Sequence, residues 1–316
     1  MKSKVRLISM QVPGSERGDP CTLKGYRYHY ATSPSILITA GLHGDEPTAI
    51  AALWYLAERL RAKNVSATVT ILPCLNVLAT QHSSHLMPLE NLDVNRFFPG
   101  RRDGSLAERL AFKITRILSQ HDAFIDVHTA GWCIPFALLD DIFDSALDQI
   151  VRTWAHAAGI PVVREMPSSK AGLQNLERSS TAWATQHLKK PAFTLELKGF
   201  KTINSKCAQK AADWLFSYIQ AFPTLQKKHE ILNLPTRHEI YSENSGLFEA
   251  FVVPGDSVTK GTYLGRICSE NGKLRCKVLA PTKGMVLALQ PVSTVQVGSW
   301  LSTLAVTSTR MRKWRE

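Results

Sequence analysis

A chain of 316 residues, 44% hydrophobic and 20% charged, has the composition of a globular protein and the length of two compact domains. No stretch reaches the roughly 18 apolar residues that a bilayer crossing needs, and "MKSKVRLISMQVPG" lacks an apolar run of signal-peptide length, so a cytoplasmic protein without membrane attachment is expected. The net charge of +12 divides into 25 basic and 19 acidic residues up to residue 225 and 13 and 7 beyond it; with no basic–aromatic interleaving, it reads as a solvated basic surface and not as a nucleic-acid site.

The apolar run "SILITA" (35–40) is the first of four with the length of buried strands; "ATVTILP" (67–73), "AFIDVH" (123–128) and "AFTLEL" (192–197) are the others. Amphipathic segments lie between them. "PTAIAALWYLAERLRAK" opens with Pro47 at a first-turn position and places Ile50, Leu53, Leu56 and Leu60 on one helical face. In "SLAERLAFKITRILSQ", Ser105 followed by Glu108 is a capping box. "CAQKAADWLFSYIQAF" is a further helix. This alternation predicts an α/β fold with a parallel or mixed sheet. After residue 228 the texture changes to short β-rich runs between Gly and Pro turns, which predicts a catalytic domain over 1–228 and a small all-β domain over 229–316. The six cysteines form no CxxC pair and suit reduced, packed thiols.

Four strand-end features carry chemistry. "GLHGDEPTAI" follows the first buried strand and offers His43 and Glu46 on either side of a strand-to-helix turn. Hydrolytic zinc sites take three protein ligands, with His₂Glu one of the recurring sets, and keep a position open for water. His128 in "FIDVHTAG", at the end of another apolar run, supplies the second histidine. His121, His156, His187, His229 and His238 fall in helical or linking stretches and read as surface residues. Glu196 ends the strand of "FTLELKG"; beside a zinc ion it suits the removal of a proton from water and its delivery to a leaving nitrogen. Asn95 and Arg96 in "NLDVNRFFPG" offer a planar fork and a neutral neighbour for a substrate carboxylate. Taken alone, the same pair serves equally to order its loop.

Together these motifs resemble the succinylglutamate desuccinylase/aspartoacylase family, part of the wider zinc carboxypeptidase group. "GLHGDE", Asn76, "LDVNRFFPG", "FIDVHT" and "TLELKG" occur in the family's order over residues 41–200. The resemblance implies a zinc-carboxypeptidase-like mixed sheet flanked by helices, with a C-terminal barrel-sandwich domain. It implies one Zn²⁺ per chain on His43, Glu46 and His128, catalysis by Glu196, and carboxylate binding by Asn95 and Arg96. The implied activity is hydrolysis of the amide of a small, anionic N-acyl amino acid. One departure stands out: in "NVLATQHSSH", His85 occupies the position where relatives carry a carbonyl-polarising arginine; the histidine can still donate to the developing oxyanion in a pH-dependent way, with Arg101 or Arg102 as the alternative. The tail resembles biotin and lipoyl carrier domains, but Lys273 lacks their flanking sequence and reads as an ordinary hairpin lysine. That domain is expected to rim the cleft or to mediate homo-oligomer contacts. Two rival readings share the fold: a metallocarboxypeptidase for short peptides, and a non-catalytic binding protein.

Overall fold

The computed structural model describes residues 4–12, 22–30, 34–166, 175–225 and 234–306, so the boundary expected near residue 228, Cys21 and His229 lie outside the described residues. The first part of the chain runs through β1 (Lys4–Gln11), β2 (Thr22–His29), β3 (Ser35–Ala40), α1 (Pro47–Ala62), β4 (Thr68–Leu72) and the short α2 (Val77–Gln81). Next come α3 (Leu106–Leu118), β5 (Ala123–Thr129), β6 (Trp132–Cys133), β7 (Phe136–Leu139), α4 (Ser145–Ala155) and β8 (Val162–Arg164). The segment closes with α5 (Ser180–Gln186), β9 (Ala192–Leu197) and α6 (Ser205–Ala221). After it lie β10 (Thr236–Tyr241), β11 (Gly246–Ala250), β12 (Ser257–Val258), β13 (Tyr263–Cys268), β14 (Leu274–Leu279), β15 (Gly284–Leu289), β16 (Thr294–Val295) and β17 (Trp300–Val306).

The four apolar runs form adjacent strands, in the order β4-β3-β5-β9, all parallel. An antiparallel pair, β1 and β2, extends one side through β4, and β7 joins the other side antiparallel to β9. The sheet is therefore mixed. Its central strands are buried on both faces, which explains their unbroken apolar character. Alternate residues go to opposite sides: Ile36, Ile38, Ile125 and Val127 pack with Leu53, Leu56 and Leu60 of α1 and with α4 and α6. Leu37 and Phe124 pack with Leu110 and Ile114 of α3. The Ser105–Glu108 capping box closes the N-terminus of α3 as the spacing predicts.

The β-rich tail differs from a free-standing barrel. β10 adds to β8 in parallel through Thr236 and Arg164, and β17, β15 and β12 follow, so these strands continue the same mixed sheet. β6 pairs with β15, a second tie between the two parts. β14, β13, β11 and β16 form a separate four-stranded sheet over an apolar cluster that includes Phe248, Leu264, Ile267, Leu301 and Leu304. The physical reason for the continuity is the bonding edge of β8, which β10 covers. Among the described residues, no helix is long and apolar enough to cross a membrane.

Candidate metal centre and substrate cavity

The period-two alternation that builds the core also aims the site. Asp126 and His128 of β5 lie opposite Thr194 and Glu196 of β9, away from the α1 and α6 face. The loop leaving β3 brings His43 and Glu46 to the same sheet end. Glu46 caps α1, immediately before Pro47. Gly44 lets this loop touch α2: a Cβ there would lie 2.0 Å from the Ala79 carbonyl carbon, and its N–H donates to Ser84 O.

His43, Glu46 and His128 converge, each about 5% exposed or less. His43 Nδ1 lies 2.9 Å from Glu46 Oε1, His128 Nδ1 lies 3.1 Å from Glu46 Oε2, and the two Nδ1 atoms are 3.2 Å apart. Ligand atoms about 2.0–2.1 Å from one tetrahedral ion stand at separations of this order. The outer nitrogens meet carboxylates: His43 Nε2 is 3.0 Å from Asp93 Oδ1, and His128 Nε2 is 3.1 Å from Asp126 Oδ2. Asp126 in turn accepts hydrogen bonds from Thr39 Oγ1 and Ser180 Oγ, both 2.6 Å. Carboxylates behind metal-binding histidines fix ring orientation and tautomer, so the donor set fits a divalent ion.

Electrostatics agree with that fit. Burial disfavours the His43 cation, but Glu46 and Asp93 outweigh it and lift its pKa to about 9. Burial likewise opposes the His128 cation, yet Asp126 and Glu46 raise its pKa well above the ordinary value. Burial works to raise the pKa values of Glu46 and Asp93, but the neighbouring histidines bring both well below the ordinary carboxylate range. Three carboxylates around two imidazoles thus demand positive charge, which a divalent cation supplies.

Glu196 faces the same cavity of about 470 Å³. Its Oε2 is buried without a hydrogen-bond partner, and burial raises its pKa to about 7. Asn95 and Arg96 also line the cavity. Asn95 Oδ1 accepts from Ser180 N–H at 2.9 Å, while Arg96 Nη1 donates to Asn95 O and lies 3.4 Å from Asp93 Oδ2. The Asn95 side chain thus has an ordering job, and the Arg96 guanidinium keeps further donors. His85 stacks on the His43 ring at 3.7 Å between centroids, with Nδ1 3.3 Å from Asp45 Oδ1. Arg101 is exposed and 3.5 Å from Asp103, and neither it nor Arg102 lines the cavity. Of these three side chains, His85 is the one that lines the cavity.

A model of the succinylglutamate desuccinylase/aspartoacylase catalytic domain matches residues 32–222. The chain belongs to this family. It is 28% identical over 289 residues, 86% of this chain and 82% of the other, to an N-alpha-acetyl-L-2,4-diaminobutyric acid deacetylase of Halomonas elongata. Its fold resembles the product-bound ectoine utilization protein EutE (DoeB) from Ruegeria pomeroyi, with a TM-score of 0.82, 23% identity and coverage of 97% and 96% of the two chains. A succinylglutamate desuccinylase/aspartoacylase from Rhodobacter sphaeroides gives 0.80, 22% identity and 96% of each chain.

Sequence reasoning missed several residues in and behind this family member's cavity. Asp126, a lone charge inside an apolar strand, was a usable signal; Asp93, two residues before Asn95, was a weaker one. Asp140, Glu165, Arg237 and Glu239 also line the cavity and carry no motif. His121, read as a surface residue, is 3% exposed and sits between Ile117 O and Thr70 Oγ1, because the end of α3 packs against β4.

Proposed function

We propose that this chain is a zinc-dependent deacylase that hydrolyses the amide of a small N-acyl amino acid. The observation that carries the reading is the convergence of His43, Glu46 and His128 beside the unpartnered, buried oxygen of Glu196. The relative named as an acetyl-diaminobutyrate deacetylase supports the reaction class. The cavity volume suits a small molecule.

His43, Glu46 and His128 would hold the ion, with Asp93 and Asp126 behind the histidines. A bound zinc ion supplies Lewis acidity to a water and to the scissile carbonyl. Glu196 takes a proton from the attacking water and delivers it to the departing nitrogen. Its pKa near 7 leaves both protonation states accessible at neutral pH. Arg96 binds the substrate carboxylate through its free donors, and Asn95 holds the loop that carries it. His85, when protonated, donates to the oxygen that gains charge. The β-rich tail has the role of rimming the cleft, in the manner of a barrel-sandwich appendage.

The test is a hydrolysis screen of N-acetyl, N-succinyl and longer N-acyl amino acids, with zinc-loaded and chelator-stripped protein. Zinc-dependent release of free amino acid is expected. No release from any N-acyl amino acid by protein carrying one zinc per chain would overturn the reading.

A further inference from the structure

The cavity has a second polar end that the hydrolytic chemistry does not use. Asp140 follows β7, is 8% exposed, and lines the cavity with its Oδ2 unpartnered. Glu165, after β8, and Arg237 and Glu239, on β10, stand with it. Arg237 is already committed. Its Nε and Nη2 reach the two Glu165 oxygens at 2.8 and 2.7 Å, and its Nη1 lies 3.3 Å from Glu239 Oε1. Two carboxylates therefore occupy this guanidinium, and the third, Asp140, is left over. A buried carboxyl with an orphan oxygen is costly unless something completes it. Burial, with Glu165 adding to it, holds its pKa near 7 even though a hydrogen bond with Thr181 and the charge of Arg237 oppose the shift.

We propose that Asp140 binds a protonated amino group of the substrate, so that the chain selects N-acyl amino acids bearing a second, free amine. The proposal rests on the deacylase reading only for the acyl half of the substrate. A cation is what the local charge lacks, whereas a second substrate carboxylate would meet Asp140, Glu165 and Glu239 with no free guanidinium. Position agrees. Phe136 pairs with Glu196, and Asp140 lies four residues further along, about 13 Å at the usual strand rise. A hydrogen bond of about 3 Å and the side chains' own reach take up part of that span. A chain of a few carbon atoms fills the remainder.

The experiment uses zinc-loaded Glu196→Gln protein, which binds without turnover, and calorimetry. Ligands are Nα-acetyl-2,4-diaminobutyrate and Nα-acetylornithine, their methyl isosteres N-acetylnorvaline and N-acetylnorleucine, and N-acetylglutamate. At least one ammonium ligand should bind five- to fiftyfold more tightly than its isostere, and N-acetylglutamate more weakly than either. Adding Asp140→Asn should bring the ammonium-to-methyl ratio to within twofold, while Asp140→Glu, which keeps the charge, should preserve a preference. A difference below fivefold before Asp140 is changed overturns the proposal, and that comparison survives even if Asp140→Asn does not fold. A preference that persists in folded Asp140→Asn overturns it too. Ammonium-selective binding by a protein whose zinc-loaded wild type releases amino acid from no N-acyl substrate of the hydrolysis screen would sink the deacylase reading and leave the Asp140 site standing.

Discussion

The two ends of the cavity are built on opposite principles. At the proposed metal end, Glu46, Asp93 and Asp126 each face an imidazole, and Thr39 and Ser180 hold Asp126 from behind. At the other end Arg237 is neutralised twice over and Asp140 keeps an open oxygen. A saturated shell fixes geometry, whereas an unsaturated one waits for a ligand. The first suits chemistry common to a family, and the second suits discrimination among substrates.

The largest effect should come from Glu196, whose Oε2 stands open beside the proposed metal ligands. Glu196→Gln is expected to retain zinc and fold while kcat falls about 10²- to 10⁴-fold, since an amide cannot relay the proton. Metal analysis and steady-state kinetics on one preparation check this; near-native turnover at full zinc content would assign the base elsewhere. Next in size is the support behind the histidines. Asp126→Asn should weaken zinc affinity about 10- to 100-fold, read by competition with a chromogenic chelator. An unchanged affinity would mean that the closed shell is packing alone.

Arg96→Lys tests the boundary between the two ends. The charge stays but the planar fork is lost, so kcat/KM for carboxylate substrates should fall about tenfold more than for matched amide analogues. Equal losses would leave Arg96 as an ordering residue of its loop.

The smallest effect is on stability. Burial raises Asp140 from an ordinary 3.8 to about 7 in the folded chain. Between those values the folded state holds a proton that the unfolded state has released. This group's contribution therefore falls as pH rises through that window. Asp140→Asn, neutral throughout, should raise Tm relative to the ligand-free wild type by about 2–4 °C at pH 8 and by less at pH 5. Thermal unfolding at the two pH values checks the sign, and a gain that is larger at pH 5 would contradict it.

The same contrast explains what the sequence revealed. His128 and Glu196 could be picked out because each stands at the end of an apolar strand, where period-two alternation makes a polar residue conspicuous, and His43 and Glu46 because they crowd the loop that leaves another. The strands β3, β4, β5 and β9 and the helices α1, α3 and α6 were legible from the same periodicities. Asp140, Glu165, Arg237 and Glu239 were not, because the chain assembles them from three strand neighbourhoods and each looks ordinary in its own. Nor were β1 and β2 visible. Leu7 is 75% exposed on an edge strand, so its run lacks a clear buried face. His121 misled for the opposite reason: a polar residue at a helix end is buried only because β4 happens to pass it.

The crossing of β10 onto β8 sets where inheritance can cut this chain. The family-wide segment ends at residue 222 and holds every proposed metal ligand and the proposed base. Arg237, Glu239, Gln290, Pro291 and Trp300, which complete the cavity wall, all come later in the chain. An exchange of the C-terminal portion between relatives would therefore replace Arg237 and the rest of this later wall, while Asp140, the proposed metal ligands and the proposed base stay where they are.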